Sequence, residues 1–326
     1  MFAAYGLYTH IRANEIRSRL LVGGLFVLVL AFAVGLDLAV RGWNRSLPRG
    51  APADLAGYLA AARADLIWLA PLAVGAAFLW LFAAYHGHQA LIDRTVGAVG
   101  VTPSEAPRLH GLMETLCISR GMAVPALRIV EDPALNAYAT GLNPRQYAVS
   151  VTTGLLASLD DRELAAVLAH ELTHIRNDDV RTMMIATVIA GVFAFLAECV
   201  FRGRDSLGGR GDRDRGGAIL AVIAGAVLIA AVWVLAQLIR FSLSRSREYV
   251  ADAGAVELTK DPDALIAALL KIAGRGDLAR APSGLMELCV DNPRSGWFDL
   301  FATHPSIDDR VAALTRYAGG RLPPWM

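Results

Sequence analysis

The segment His170-Glu171-Leu172-Thr173-His174 decides the fold and the chemistry that we predict for this chain. Its two histidines are four residues apart, so on a helix they project from one face, one turn apart. Two imidazole nitrogens placed in this way can bind a single zinc ion. Glu171 follows the first histidine, where its carboxylate reaches a metal-bound water without binding the metal. The segment therefore indicates two metal ligands and a general base on one helix, the arrangement of zinc peptidases.

The residues before this segment predict a well-formed amphipathic helix. Asp160 followed by Glu163 is typical of a capping box at the start of a helix. An apolar stripe follows, which predicts that one helical face is buried, at Leu164, Val167, Leu168 and Leu172. A catalytic zinc site also needs a third protein ligand and an open fourth position.

A third ligand is available in the segment 244–255. Glu248 and Asp252 are four residues apart and share a helical face. Glu248 can complete a set of two histidines and one glutamate, and Asp252 can accept the free ring N–H of a zinc-bound histidine. In the alternative, both carboxylates pair with Arg245 and Arg247 on a solvated helix. The segment 170–174 favours the metal site.

Four segments, in this order, carry a resemblance to a known family: Asn136-Ala-Tyr-Ala-Thr-Gly, His170–His174 with Asn177 and Asp179, Ser244–Asp252, and Thr303-His304-Pro305. In them the chain resembles the HtpX-like integral-membrane zinc metalloproteases, which are bacterial relatives of the CAAX prenyl proteases. These enzymes carry the gluzincin pattern of HExxH followed by ExxxD.

The resemblance implies ligands for one zinc ion per chain at His170, His174 and Glu248. It implies Glu171 as the catalytic base and Asn136 as part of the edge strand that aligns the substrate. His304 would be a catalytic group near the zinc that steadies the tetrahedral intermediate. The chain departs from the pattern at Ser306, where the family often has a second proline, and this concerns only the local turn.

The composition indicates a membrane protein. Hydrophobic residues make up 55% of the 326 residues and the mean hydropathy is +0.43, both high for a soluble enzyme. The formal net charge of +1 gives no indication of nucleic acid as a partner. The three cysteines form no CxxC pair and no disulfide framework, which fits a reducing compartment.

Four segments are long and apolar enough to cross a bilayer, which takes about 20 helical residues: Leu20–Val40, Leu66–Tyr85, Met183–Phe201 and Ala218–Ala236. The third is short and contains Glu198, so a buried core helix is its alternative. The histidines precede the third segment and Glu248 follows the fourth. They share one zinc only if an even number of crossings separates them, which favours a hairpin of two crossings.

We predict a mainly α fold, with a four-helix membrane-spanning region and a zincin-like α+β catalytic domain that contains a small antiparallel sheet. The sheet is expected from Leu127–Val130, Asn136–Thr140 and Tyr147–Val151, and its edge can hold an extended substrate by main-chain pairing. The predicted organisation is a membrane-surface segment at 1–19, two transmembrane helices at 20–85, the first half of the catalytic domain at 86–180, a transmembrane hairpin with a Gly/Arg-rich loop at 181–240, and the second half of the catalytic domain at 241–326.

Arginines near the segment ends are equally numerous on the two sides of the membrane, so the positive-inside rule does not decide the orientation. The resemblance implies a bacterial cytoplasmic membrane with the catalytic domain facing the cytoplasm. It also implies a quality-control endopeptidase that cleaves misfolded or membrane proteins, with Glu171 activating a zinc-bound water. The expected partners are polypeptide substrates and the lipid bilayer. No feature of the sequence indicates an oligomeric state.

Two other functions remain open at this point. A CAAX-type enzyme that processes prenylated peptides would use the same site, although that family usually has more membrane segments. A non-catalytic membrane scaffold would use zinc structurally. Against the scaffold stand the intact Glu171 and the presence of only three evident ligands, because structural zinc sites are usually closed by four.

Overall fold

The structure, a computed structural model, describes residues 7–203, 216–241, 246–286, 288–292 and 305–324. The helices are α1 (Leu7–Asn44), α2 (Leu55–Val96), α3 (Pro107–Arg120), α4 (Thr153–Ser158), α5 (Asp161–Arg176), α6 (Asp179–Gly203), α7 (Gly216–Phe241), α8 (Ser246–Thr259), α9 (Pro262–Ile272), α10 (Ser283–Met286) and α11 (Ile307–Ala318). The strands are β1 (Ala98–Gly100), β2 (Ala126–Val130), β3 (Ala137–Thr140) and β4 (Ala148–Thr152). The prediction of a mainly α fold with one small sheet is confirmed.

The chain divides into two compact units. The first consists of Met1–Ser18, His86–Ile185 and Phe241–Met326, and the second of Arg19–Tyr85 and Ala186–Arg240. The sheet and helices α3, α4, α5, α8, α9, α10 and α11 belong to the first unit. Segments far apart in the sequence therefore fold together in each unit.

Among the described residues, three helices are long and apolar enough to cross a membrane: Asn14–Asn44, Leu55–Val96 and Gly216–Ala236. They contain three of the four predicted crossings. The fourth, Met183–Phe201, lies in α6, whose side chains from residue 194 onward are outside the described set. That crossing stays a prediction.

Within the second unit, α1 and α7 approach closely where both carry glycine. A Cβ atom on Gly225 would lie 2.4 Å from the carbonyl oxygen of Gly35, so a larger residue there would push the helices apart. Inside a membrane the hydrophobic effect does not drive helices together. Small residues there let apolar helices come close enough to gain van der Waals contact. Beside this contact, Leu38 and Tyr58 pack with Ala221 in a buried cluster.

The sheet of the first unit is mixed, in the order β1-β2-β4-β3. β1 and β2 are antiparallel, β2 and β4 are parallel, and β4 and β3 are antiparallel. The expectation of a purely antiparallel sheet was therefore wrong for one pair. Strands β2 and β4 run in the same direction and β3 runs in the opposite one. These three strands would form only antiparallel pairs if β3 lay between β2 and β4. β4 takes that place with the buried, β-branched Val149 and Val151, which leaves β3 at the edge.

Helix α5 is the central element of the first unit. It begins with the predicted capping box, in which Asp160 accepts from the N–H of Glu163 and Glu163 accepts from the N–H of Asp160. Such reciprocal bonds satisfy two amide groups that a helix start leaves unpaired. From Leu164 to Ile175 almost every residue is buried, so the helix holds its side chains in fixed positions.

Helix α8 packs directly on α5 because Gly254 lets the two backbones come close. A Cβ atom at this position would lie 2.4 Å from Cγ2 and 2.7 Å from Oγ1 of Thr173. Thr173 is buried and its hydroxyl donates to the carbonyl of Ala169, so it cannot easily move aside. The contact sets the distance between the helix that carries the histidines and the helix that carries Glu248.

We expect Gly254→Ala to lower the thermal unfolding midpoint of the detergent-solubilised protein. Overpacking of a filled core costs about 1–3 kcal/mol. Gly111→Ala is the matched control: Gly111 lies in α3, where an added Cβ atom would have nothing within 4 Å, so the exchange should stabilise by about 0.5–1 kcal/mol. Equal midpoints for the two variants would contradict the close α5–α8 contact.

Candidate metal centre

The two histidines of α5 face each other across one turn. The Nε2 atoms of His170 and His174 lie 3.1 Å apart, and the two rings meet edge to face. Both residues are buried. The helix thus places two imidazole nitrogens at one point inside the protein.

Each histidine is fixed from behind by a carboxylate. Asp252 Oδ1 lies 2.9 Å from Nδ1 of His170, and Asp179 Oδ2 lies 3.0 Å from Nδ1 of His174. A carboxylate accepts a hydrogen bond, so Nδ1 of each imidazole carries a proton and Nε2 is directed to the shared point, where its lone pair can bind a metal once any proton on it is lost. Two ring nitrogens 3.1 Å apart repel each other through their lone pairs unless a proton or a metal ion lies between them.

Glu248 supplies the third donor atom. Its Oε2 lies 3.5 Å from Nε2 of His170 and 3.6 Å from Nε2 of His174. The other oxygen, Oε1, accepts from Nε of Arg247 at 3.1 Å. Glu248 and Asp252 are 1% and 2% exposed, so the expectation of a solvated helix in the alternative was wrong, although Glu248 does pair with Arg247 as that alternative expected.

The three donor atoms have the spacing that one ion requires. All lie within 4.8 Å of one another. Ligands at about 2.0–2.1 Å around a tetrahedral zinc ion are separated by roughly 3.3–3.4 Å. The observed separations of 3.1, 3.5 and 3.6 Å are close to three edges of such a tetrahedron. The residues fit a single ion of this size, with the fourth corner left for another group.

Arg310 holds the carboxylate behind His170. Its Nη2 and Nε donate to the two oxygens of Asp252 at 2.6 and 2.9 Å, and its Nη1 donates to the carbonyl of Val290 at 3.1 Å. Burial by itself raises the pKa of Asp252, but the charge of Arg310 outweighs it and holds that pKa at about 2. Asp252 therefore stays ionised as an acceptor for His170.

The environment of the site also shifts the pKa values of two other groups, His174 and Glu171. Burial by itself lowers the pKa of His174, but the charge of Glu248 and the hydrogen bonds to Asp179 and Glu248 raise it to about 10. Burial raises the pKa of Glu171, against the lowering effect of the two histidines. A glutamate with a raised pKa is a stronger base and therefore a more effective proton acceptor.

A small cavity of about 10 Å³ joins these groups to the edge of the sheet. Glu171 lines it beside the three donor residues, and so do Ala139 of β3 and the segment Leu288–Val290. The space is enough for about one water molecule. Among the described residues this space is too small for a peptide, so part of this lining has to move before a peptide reaches the donor atoms.

Strand β3 pairs with residues of the same chain on its outer edge. Tyr138 forms an antiparallel bridge with Cys289, and the N–H of Val290 donates to the carbonyl of Ala137 at 3.1 Å. Alternate residues of a strand present their backbone groups to the same edge. Ala139 therefore presents its N–H and C=O on the side of Ala137, where it lines the cavity.

Asn136 precedes this edge strand directly and is fully buried. Its amide Nδ2 donates to the carbonyls of Gly276 and Asp291 at 2.6 and 2.8 Å, and its Oδ1 accepts from the N–H of Ala137. The side chain connects the start of β3 to the segment after Val290. Its predicted role in substrate alignment stays a prediction.

The structure brings together His170, His174, Glu248, Asp252 and Glu171. His304 lies in 293–304, outside the described residues, so its predicted role is not tested. The sequence analysis did not give Asp179 a role in the site. A signal was present, because Asp179 is an acidic residue just beyond the end of the helix that carries His174.

Two buried imidazoles and a carboxylate around one point, with the carboxylate of Glu171 beside them, are the arrangement typical of a mononuclear hydrolytic metal centre. Comparison with known proteins agrees with this class. Residues 103–318 match the model of peptidase family M48. The chain belongs to this family.

Curated relatives match over most of their length. A "Protease HtpX homolog" of Bacteroides fragilis is 39% identical over 261 residues, which are 76% of this chain and 80% of the relative. A "Protease HtpX homolog" of Ligilactobacillus salivarius is 32% identical over 313 residues, which are 94% of this chain and 99% of the relative. The predicted HtpX-like resemblance is confirmed. The protein is a metallopeptidase and, with its long apolar helices, a multi-pass membrane protein.

A similar backbone occurs in the crystal structure of S. mikatae Ste24p, with a TM-score of 0.48 and 20% identity. The match covers 74% of this chain and 57% of that chain. This chain thus spans little more than half the length of that solved protein.

Proposed function

We propose that the protein is a zinc endopeptidase that hydrolyses peptide bonds of misfolded or membrane proteins as part of protein quality control. The observation that carries the proposal is the convergence of His170, His174 and Glu248 on one point beside Glu171. One zinc ion per chain fits the three donor atoms. We place the catalytic unit, formed by 86–180 and 241–326, on the cytoplasmic side of a bacterial membrane.

Zinc held by these residues would lower the pKa of a bound water to about 7 and polarise the scissile carbonyl. Glu171 takes the proton of the attacking water and passes it to the leaving amine. Its position beside His170 on a rigid helix keeps the carboxylate at the metal site throughout. His304, within the family match, would donate to the developing oxyanion.

Asp252 and Asp179 keep both imidazoles in the tautomer that binds a metal through Nε2. Arg247 donates to Oε1 of Glu248, and Oε2 of the same carboxylate faces the two Nε2 atoms. A purely structural metal site would not need Glu171, and usually has four protein ligands rather than three. The arrangement therefore favours catalysis over the scaffold function.

The substrate would bind as an extended strand on the outer edge of β3. Backbone pairing holds a polypeptide with little demand on its side chains, which suits an enzyme that cleaves many misfolded proteins. The segment Leu288–Val290 occupies part of this edge and closes the cavity. We propose that it moves away from β3 when a substrate strand enters.

We expect Glu171→Gln to retain zinc and to lose cleavage of an unfolded model polypeptide by at least about 100-fold, because the general base is removed while the three ligands remain. Zinc content and cleavage are measured on the same purified sample. Glu257→Gln, an exchange of a half-exposed carboxylate paired with Arg120, is the control and should remain active. A fully active Glu171→Gln enzyme would exclude Glu171 as the base.

The segment Leu288–Val290 is the closing segment of the cavity. A disulfide between β3 and this closing segment tests whether the segment moves. Tyr138 and Cys289 form a pair without mutual backbone hydrogen bonds, where the Cα atoms are closest. In Tyr138→Cys, oxidation should join the new cysteine to Cys289 and abolish cleavage, and reduction should restore it. Tyr138→Ser, treated in the same way, should not respond to oxidation. Full cleavage by the cross-linked enzyme would show that the segment does not need to move.

A further inference from the structure

Asn14, near the start of α1, contacts the carboxylate that holds His174. Its amide Nδ2 donates to Oδ1 of Asp179 at 2.7 Å and to the carbonyl of Asn177 at 2.9 Å. A primary amide has two N–H groups, so both of its hydrogens have an acceptor here. Asp179 thus binds Asn14 through one oxygen and His174 through the other.

The position of Asn14 is fixed by several contacts. Its Oδ1 accepts from Nη1 of Arg17 at 3.2 Å, which turns the amide nitrogen towards the two acceptors. One turn along the same face of α1, Ser18 Oγ lies 2.8 Å from Oγ1 of Thr182 in α6. Asn14 and Ser18 are 2% and 1% exposed. This face of α1 is therefore packed inside the first unit.

The turn between α5 and α6 needs support of this kind. Asn177 ends α5, and Asp178 adopts a positive φ of 58°, which non-glycine residues seldom do. By binding both Asn177 and Asp179, the amide of Asn14 spans this turn. It fixes Asp179 at the distance from His174 that a hydrogen bond requires.

We propose that Asn14 is a positioning residue of the metal centre, acting on His174 through Asp179. Groups that orient a metal ligand contribute to metal affinity because they fix its ring and raise its basicity. Asn14 is one hydrogen bond further from the metal than Asp179. The first turns of α1 are then a part of the catalytic unit. This inference rests on the proposed zinc site.

The test is zinc affinity, measured by competition with a coloured chelator on the full-length protein in detergent, together with kcat and KM. Asn14→Ala should weaken zinc binding on the order of tenfold, since loss of such outer contacts costs about 10–100-fold. At limiting zinc, Asn14→Ala should decrease kcat by a larger factor than the factor by which it changes KM. Ser18→Ala is the matched control: it removes a bond from the same helix face but leaves Asp179 untouched, so its zinc affinity should equal that of the wild type.

A double-mutant cycle separates positioning from general stability. In an Asp179→Ala background, Asn14→Ala should have no further effect on zinc affinity, because the carboxylate through which it acts is gone. Wild-type affinity in Asn14→Ala, or an equal loss in Ser18→Ala, would overturn the inference while leaving the zinc site intact. Absence of zinc binding by the wild type would overturn both the inference and the proposed function.

Discussion

The hydrogen bonds that hold the two imidazoles from behind determine the rest of the site. Asp252 binds Nδ1 of His170 and Asp179 binds Nδ1 of His174, so the two Nε2 atoms meet at 3.1 Å. Each carboxylate needs its own fixed donor. Arg310 from α11 serves Asp252, and Asn14 from α1 serves Asp179. Elements from distant parts of the sequence must therefore pack correctly before a metal can bind.

The balance of buried charge also indicates a cation. The carboxylates of Glu171, Glu248, Asp252 and Asp179 are all buried, whereas the buried guanidiniums among the described residues are those of Arg247 and Arg310. Burying charge without compensation is costly. A divalent ion at the shared point would offset this excess of negative charge. The raised pKa of His174 has the same origin, because a proton on His174 offsets the negative charge of Glu248.

The sequence predicted those parts of the site that depend on local spacing. His170 with His174, and Glu248 with Asp252, are four residues apart, and helical geometry alone puts each pair on one face. The caps of α5, α9 and α11 were also predictable, because Asp160, Asp261 and Ser306 act on residues three positions further on. Such short-range rules do not need the tertiary structure.

The parts of the fold and of the site that the sequence analysis did not predict depend on long-range packing. Nothing local links Asn14 to Asp179 or Arg310 to Asp252. The order of the strands could not be predicted for the same reason. Strands β2, β3 and β4 alternate in direction along the chain, and this is compatible with β3 in the middle or at the edge of the sheet. The closing segment at Leu288–Val290 was also not predicted, because its pairing with β3 involves residues about 150 positions apart.

X-ray absorption at the zinc edge, on the purified protein, tests most directly whether His170, His174 and Glu248 hold one metal ion. We expect one zinc per chain, nitrogen and oxygen neighbours at about 2.0–2.1 Å, and the scattering pattern of two imidazoles. Glu248→Ala should retain the signal of two imidazoles with one fewer protein oxygen. Sulfur in the coordination shell, a single imidazole, or no bound zinc would contradict a metal centre built on these three residues.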